Sequence, residues 1–351
     1  MIRSSGIGTY IQGLLSVWKN NAASHPLQLF GNPDQLSSWP FPMIKFEAPI
    51  YSLREQWAGP TLFSGASLDL LHVPHYNIPA RYKGPLVVTI HDIIHLLHPQ
   101  MARKAGAWLY ARVMLKLAVK KAKRIIVVSE KTKEDILERL GADPEKIRVI
   151  HPGISSDFSP SSPNDSAATL ARHGLKKGFI LFVGDVRPHK NVGGLLSAHR
   201  LLRKTWTDCP QVVVVGKTER ASQSFLNEDN VRWLGGNLPK EELIHLYSAA
   251  GVLAFPTLYE GFGLPPLEAM ACGCPVVVSS AGALPESVGD AGLYIEPGDP
   301  ASIAEGITKA LREKPLRESL VAKGLARSKT FSWEKAARET WKVYEEALGS
   351  A

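Results

Sequence analysis

Continuous apolar runs are the feature that most limits what this chain can fold into. The segments LVVTI, RIIVV, ILFV, VVVV and PVVV show no strict alternation of apolar and polar residues. Strands of this kind have both faces buried, as in a parallel sheet that helices cover on each side. The sequence therefore predicts an α/β fold built on parallel sheets.

Amphipathic helical patterns lie between these runs. We predict strands at 69–73, 86–91, 124–128, 146–150, 179–183, 211–215, 231–234, 252–256 and 275–279, and helices at 103–122, 131–140, 191–204, 240–250, 300–313 and 332–347. Such alternation is typical of doubly wound α/β units. Ser129 is expected to cap a helix that Gly141 ends.

The length of 351 residues indicates two domains, because single cores rarely grow beyond ~300 residues. Segment 152–178 is rich in Pro, Ser and Asp, and we interpret it as a linker or its border. We expect an N-terminal domain at 1–160, a C-terminal domain at 161–330, and a helix at 331–351 that packs back toward the N-terminal domain.

Bulk composition favours a cytoplasmic protein. The chain contains no apolar run of ~18 residues, its start lacks the apolar core of a signal peptide, and its three cysteines are too few for a disulfide framework. The formal charge of +8 fits nucleic acid, an anionic membrane face or a phosphorylated small molecule, and does not choose among them.

Gly6-Ile7-Gly8 comes directly before a helical pattern. A glycine turn that feeds a helix normally follows a strand, and only five residues precede this one. We therefore expect that the first strand is missing from this chain, or that translation was assigned a late start.

Segment 259–277 has seven residues between Glu260 and Glu268. Glu260 follows the strand at 252–256, and ligands of open α/β sheets bind beyond such carboxyl ends. Gly261 and Gly263 favour a tight path with free N–H groups. Glu268 is expected in the first turn of the next helix, where a carboxylate can accept hydrogen bonds from vicinal hydroxyls. The alternative is a loop whose acidic residue only favours the helix dipole.

Segment 179–196 runs from a buried strand into Gly184, Arg187 and Lys190. Two cations beyond a strand end can grip a diphosphate, with Arg as a planar fork and Lys as a point charge. The alternative is a solvated basic turn.

His91 and Asp92 end the strand in VVTIHD. A lone histidine at a strand end is more often a structural hydrogen-bonding residue. Nearby histidines could suggest a metal cluster: His72, His75, His95 and His98. They lie across strand ends and loops, and no D-x-D pair accompanies them, so we predict no metal.

These segments together resemble the retaining glycosyltransferases of the GT-B fold, especially family four with its mannosyl- and glucosyltransferases. The resemblance covers nearly the whole chain: Gly6-Ile7-Gly8, VVTIHD, RIIVVSE, VGDVRPHKN and the E-x7-E segment. It implies two Rossmann-like domains facing across a cleft, with acceptor-side and donor-binding roles in that order. It also implies a nucleotide sugar as co-substrate, no cofactor and no metal. Family members carry a first strand ahead of the Gly-x-Gly turn, which is absent here.

The resemblance implies roles for particular residues. Arg187 and Lys190 match the pair that neutralises the leaving diphosphate, Glu260 lies beside the donor sugar, Glu268 holds the ribose, and His91 contacts the sugar. The other donor-binding positions are Gly6, Gly8, Gly184, Leu238, Gly261, Phe262, Gly263 and Leu264.

The donor and acceptor stay open at the level of sequence. GDP-mannose is our first expectation and a UDP- or dTDP-sugar the next, with a glycan, lipid-linked or small-molecule acceptor. The basic segment 101–124 predicts peripheral contact with the inner membrane face, or alternatively a domain helix with a solvated basic face. Rival functions are a sugar-nucleotide epimerase, a phosphorylase, an inactive GT-B scaffold and a nucleic-acid-binding protein. We expect no nucleic acid, because no known binding motif is found.

Overall fold

The computed structural model describes residues 6–24, 26–48, 51–101, 106–218, 228–236 and 238–349. Its contacts divide the chain into two compact units. The first comprises Met1–Gly153 with Ser332–Ala351, and the second comprises Ile154–Phe331.

The first unit is an α/β unit with two sheets among its described residues. Its elements are α1 (Gly6–Trp18), β1 (Leu29–Gly31), α2 (Pro33–Leu36), β2 (Met43–Lys45), α3 (Leu53–Gly65), β3 (Leu71–Val73), β4 (Leu86–Ile90), α4 (Ile94–Leu97), α5 (Ala107–Lys121), β5 (Arg124–Val127), α6 (Glu130–Leu140) and β6 (Ile147–Val149). The strands β3, β4, β5 and β6 are neighbours in that order and all parallel. β1 and β2 form a separate parallel pair. The predicted cap is confirmed: the Ser129 hydroxyl accepts from the Thr132 amide, and Gly141 ends α6.

The second unit contains α7 (Pro163–His173), β7 (Ile180–Val183), α8 (Val192–Thr205), β8 (Val212–Val215), β9 (Val231–Trp233), α9 (Lys240–Ala249), β10 (Val252–Phe255), α10 (Leu264–Ala271), β11 (Val276–Ser279), α11 (Leu284–Val288), β12 (Gly292–Ile295), α12 (Pro300–Arg312) and α13 (Lys314–Ser328). The last helix, α14 (Trp333–Leu348), belongs to the first unit and contacts α1, β4 and β5 there.

The described strands of the second unit form one parallel sheet in the order β9-β8-β7-β10-β11-β12. This is the 3-2-1-4-5-6 order of doubly wound nucleotide-binding folds. The order reverses between β7 and β10. Ligands of such sheets bind in the crevice beyond the carboxyl ends of the strands at this reversal. A binding site is therefore expected at the loops after β7 and β10.

The glycines at the start of the chain differ from the expectation. Gly6 and Gly8 lie in the first turn of α1, and not in a loop. The buried side of this helix includes Gly8, Tyr10, Leu14 and Trp18, so its apolar period extends back through the glycine pair.

Segment 152–178 also differs, because it contains α7 and is not simply a linker. The hydroxyl of Ser162 accepts from the Asp165 amide, and the Asp165 carboxylate accepts from the Ser162 amide. Pro163 occupies the first helical position. The Pro, Ser and Asp that suggested a linker are therefore the residues that start a helix.

Candidate active site

The loop that follows β7 is fastened to the loop that follows β10. Asn191 has a left-handed backbone (φ 53°) and caps α8 by accepting from the Gly194 amide at 3.2 Å. Its side-chain amide donates to the carbonyls of Pro256 at 3.0 Å and Pro297 at 2.7 Å. Asn191 was not among the residues predicted from the sequence, although Asn directly before a helical pattern is a capping signal. These bonds fix both loops at the reversal point of the sheet.

Lys190 and Glu260 meet at this point. The Lys190 Nζ lies 2.7 Å from Glu260 Oε1 and 2.9 Å from Oε2. Both side chains are largely shielded, with 17% and 11% exposed. The same Nζ lies 5.4 Å from the ring centre of Phe255, the last residue of β10. Two groups assigned separately in the sequence therefore form one partly buried ion pair.

Gly282 fixes the backbone of Glu260. A Cβ at Gly282 would lie 2.3 Å from the Glu260 carbonyl oxygen, and its φ of +60° is one that L side chains rarely adopt. The next residue, Ala283, donates its amide to that carbonyl at 2.9 Å. Glycine is therefore required at this position for the loop to approach so closely.

Arg187 lies on the same loop as Lys190 but is more exposed. Its Nη2 is 3.8 Å from Asp185 Oδ2, and 45% of its side chain is open to solvent. The structure therefore places one cation against Glu260 and leaves the other at the solvent side of the loop.

Glycines follow the two neighbouring strands at this point, Gly184 after β7 and Gly216 after β8. A Cβ at Gly216, just after β8, would lie 1.9 Å from the carbonyl oxygen of Gly184. The Trp233 indole donates to the Gly216 carbonyl at 2.8 Å. The backbones at these two strand ends therefore approach too closely for a side chain at position 216, and glycine is required there. Leu238 is half-buried, and its neighbour Asn237 lies outside the described residues.

The turn into α10 supplies main-chain donors. Gly263 is the N-cap, Leu264 is the first helical residue, and no side chain caps them. The next two residues are prolines without N–H groups, so the amides of Gly263 and Leu264 are the donors of this turn. Gly261 is half-buried before it, and the Phe262 ring packs 5.5 Å from Phe331 as part of the core.

Glu268 lies in the second turn of α10, because the helix begins at Leu264 and Glu268 is its fifth residue. The prediction of a first-turn position was wrong. Its Oε2 accepts from the Tyr247 hydroxyl at 2.9 Å, and this partner was not predicted from the sequence. Burial raises the pKa of Glu268 to about 7, although the tyrosine bond acts against that rise.

His91 lies in the first unit, directly after β4. Its Nε2 lies 3.1 Å from the Pro74 carbonyl, which can only accept, so Nε2 carries the proton and Nδ1 remains an acceptor. The edge of the Tyr10 ring packs against it, with centroids 4.9 Å apart. Burial lowers the pKa of His91, which favours the neutral ring. Asp92 accepts from the Ile94 amide at 3.0 Å and so caps the turn.

Two neighbouring histidines are engaged in hydrogen bonds. His72 bonds the hydroxyls of Tyr344 at 2.6 Å and Thr89 at 2.7 Å, and His75 accepts from the Asn77 amide at 3.0 Å. Among the described residues, no group of three or more His, Cys, Asp or Glu side chains is arranged to hold a metal ion.

Comparison with known proteins identifies the family. Residues 21–158 match the model of Glycosyltransferase Family 4, and residues 169–327 match that of Glycosyl transferases group 1. An O-antigen chain mannosyltransferase B from Escherichia coli is 35% identical over 79% of this chain and 74% of that protein. The chain belongs to the group 1 glycosyltransferases.

This glycosyltransferase has further relatives in sequence and in structure. A D-inositol 3-phosphate glycosyltransferase from Salinispora arenicola is 31% identical over 80% of this chain and 69% of that protein. A sucrose-phosphate synthase from Thermosynechococcus elongatus superposes with a TM-score of 0.80 at 22% identity, covering 99% of this chain and 94% of that one. The fold is GT-B, with parallel sheets in two α/β domains, and the enzyme is of the hexosyltransferase class. None of its described helices is long and apolar enough to cross a bilayer.

Proposed function

We propose that this glycosyltransferase moves a hexose, with mannose as first choice, from a nucleoside diphosphate sugar to a glycan or lipid-linked acceptor. The transfer retains the anomeric configuration and needs neither metal nor cofactor. The observation that carries the proposal is the Lys190–Glu260 pair at the reversal point of a nucleotide-type sheet.

The cations have the central role in this mechanism. Lys190 and Arg187 stabilise the charge that builds on the leaving diphosphate, which is the largest kind of catalytic contribution. The amides of Gly263 and Leu264 donate hydrogen bonds to the sugar nucleotide, and Glu268 accepts hydrogen bonds from its ribose. The acceptor nitrogen of His91, Nδ1, accepts from a sugar hydroxyl.

The state of Glu260 supports retention without a protein nucleophile. Retaining glycosidases attack with a free carboxylate. Both oxygens of Glu260 are bound to the Lys190 ammonium, at 2.7 and 2.9 Å. A carboxylate neutralised in this way is a weak nucleophile, which supports attack by the acceptor on the face the diphosphate leaves. The departing phosphate oxygen then takes the acceptor proton.

The choice of substrates is supported by the relatives. One is an O-antigen chain mannosyltransferase, which favours mannose and a polysaccharide product. The other is named for D-inositol 3-phosphate, which makes a small phosphorylated acceptor the second choice.

A thermal-shift panel of GDP-mannose, UDP-glucose, a dTDP-sugar and an ADP-sugar tests the donor. A donor that binds the native state raises Tm by mass action, and the rise should be unchanged by EDTA. The Lys190→Ala variant should show no rise in Tm when the donor is added. Lys323→Ala is the matched control, because Lys323 also pairs with a carboxylate, Asp290, at 2.9 Å. The proposal fails if no sugar nucleotide shifts Tm, or if the shift requires a divalent metal.

We also propose that α5 rests on the anionic inner face of a membrane. Leu109 and Val113 are 57% and 54% exposed, and the neighbouring outward positions carry Arg112, Lys116 and Lys120. Among the described residues, no carboxylate lies within ion-pair distance of these three cations. Exposed apolar side chains beside unpaired cations fit an anionic lipid surface. Of segment 101–124, residues 102–105 lie outside the described structure.

A further inference from the structure

The contact between Tyr247 and Glu268 has a consequence for donor recognition. Tyr247 lies on α9 with its side chain fully buried, and its ring packs 6.2 Å from that of Phe158. Its hydroxyl donates to Glu268 Oε2 at 2.9 Å. Because the ring is held in the core, the hydroxyl has one direction in which to point.

We propose that Tyr247 is a positioning residue for the donor nucleotide: it holds Oε2 of Glu268 and presents Oε1 to the hydroxyls of the ribose. This rests on the proposed role of Glu268. A carboxylate with one oxygen fixed has a defined plane, and a defined plane is what bidentate contact with vicinal hydroxyls requires.

The same contact makes ribose recognition depend on pH. Burial raises the pKa of Glu268 to about 7, while the Tyr247 hydrogen bond and the positive charge of Lys240 act to lower it. Burial also raises the pKa values of the neighbouring thiols, Cys272 and Cys274, to about 12, so both stay neutral near pH 7. Arg317 contributes a fixed positive charge on the Cys274 side. Above pH 7 the Glu268 carboxylate is ionised and accepts from the ribose, and below pH 7 it is protonated and accepts less well.

Paired ligands isolate this effect. We would measure Kd by calorimetry from pH 6 to 9 for GDP and UDP, each beside its 2′,3′-dideoxy analogue. The diphosphate titrates near pH 6 in both members of a pair and cancels in the ratio of their Kd values. In the wild-type protein the preference for the ribose form should rise between pH 6 and 8, and in Glu268→Gln it should be small and flat.

Tyr247→Phe tests the positioning role. Loss of the Tyr247 hydroxyl, which donates a hydrogen bond to Glu268, raises the pKa of that carboxyl group. If the rise is about one pKa unit, a factor of ten in protonation, the preference for the ribose form at pH 7 should fall roughly fivefold. It should recover only in part at pH 9, where the carboxylate is ionised in both proteins, and the remaining deficit reports the lost orientation; a merely damaged fold would show no recovery. Tyr294→Phe is the control, because the Tyr294 hydroxyl donates to the Gly289 carbonyl at 2.6 Å on the same unit.

The outcomes separate the two proposals. No ribose preference in the wild-type protein at pH 8 overturns the role of Glu268. A wild-type preference that Tyr247→Phe leaves unchanged at every pH overturns the positioning role alone. If Tyr247→Phe does not fold, the wild-type pH profile still decides, because a flat profile contradicts a carboxyl group that ionises near pH 7.

Discussion

Lys190 and Glu260 neutralise each other across 70 residues of chain, at 2.7 Å between Nζ and Oε1. Because both are shielded, removal of either leaves the other charged and partly desolvated. Lys190→Ala should therefore lower the free energy of unfolding by about 1–3 kcal/mol and kcat on the order of 10²-fold. Lys190→Ala/Glu260→Ala should regain stability but not activity. A stability loss in the double variant equal to the sum of the losses in the two single variants, measured by urea unfolding, would contradict the coupling.

Arg187→Ala should separate activity from stability. Arg187 is 45% exposed and lies 3.8 Å from Asp185, so its loss should leave Tm unchanged within about 1 °C. Its proposed role at the leaving diphosphate requires kcat to fall on the order of 10²-fold. Steady-state kinetics with the donor identified by thermal shift provide the test. Near-wild-type turnover would remove Arg187 from the site.

Gly282→Ala should distort the loop that carries Glu260. The new Cβ would meet the Glu260 carbonyl at 2.3 Å, in addition to the backbone strain of φ +60°. Gly174→Ala is a matched control, since Gly174 has φ +64° and nothing within 4 Å of the added Cβ. The control should cost about 1 kcal/mol, and Gly282→Ala more, together with a large loss of kcat. Similar effects in both variants would show that the contact with Glu260 is unimportant.

Membrane contact through α5 predicts selective binding to anionic lipid. The protein should sediment with vesicles that contain phosphatidylglycerol and stay in solution with neutral vesicles. Leu109→Ser/Lys116→Gln should weaken this binding severalfold. Leu201→Ser/Lys204→Gln on α8 is the control, because it removes an exposed leucine and lysine from the second unit. Equal binding of both variants, or no preference for anionic lipid, would refute the contact.

Buried histidines should make the first unit sensitive to acid. Burial lowers the pKa values of His72 and His75 from 6.5 to about 3. Below pH 6.5 the unfolded chain binds protons that the folded chain does not, so stability should fall as the pH drops toward 3. The limiting slope is about 1.4 kcal/mol per pH unit for each histidine.

Urea unfolding at pH 7, 6 and 5 measures this slope. His72→Gln should reduce the limiting slope by the contribution of one histidine, about 1.4 kcal/mol per pH unit. Thr89→Val removes a hydrogen-bonding partner of His72 but keeps the histidine, and so should lower stability without changing the slope. A slope unaltered in His72→Gln would show that this ring is protonated in the native state.

The sequence predicted most of the parallel sheets because their strands are buried on both faces. All nine predicted strands occur, with bounds within two residues. β1, β2 and β12 were missed, since each has only three or four residues and partial exposure, which leaves no apolar run to detect. α7 was missed because a capped, proline-started helix has the composition of a linker at its first residues.

The site was predicted in part for a similar reason. Strand ends located the loops of Lys190 and Glu260, but their direct contact depends on the order of β7 and β10 in the sheet. No local pattern encodes that order. Tyr247 was out of reach, since a tyrosine in an amphipathic helix is indistinguishable from an ordinary core residue until its hydroxyl is located.

The two ends of the second unit meet at a backbone hydrogen bond, from the Ile154 amide to the Phe331 carbonyl at 3.1 Å. A segment whose termini are adjacent behaves in sequence as a cassette inserted between Gly153 and Ser332. We therefore expect residues 154–331 to fold as an isolated fragment, and to tolerate a short peptide that joins their two ends when the chain is opened at another loop. Nucleotide recognition would then become measurable without the half of the enzyme that contains His91.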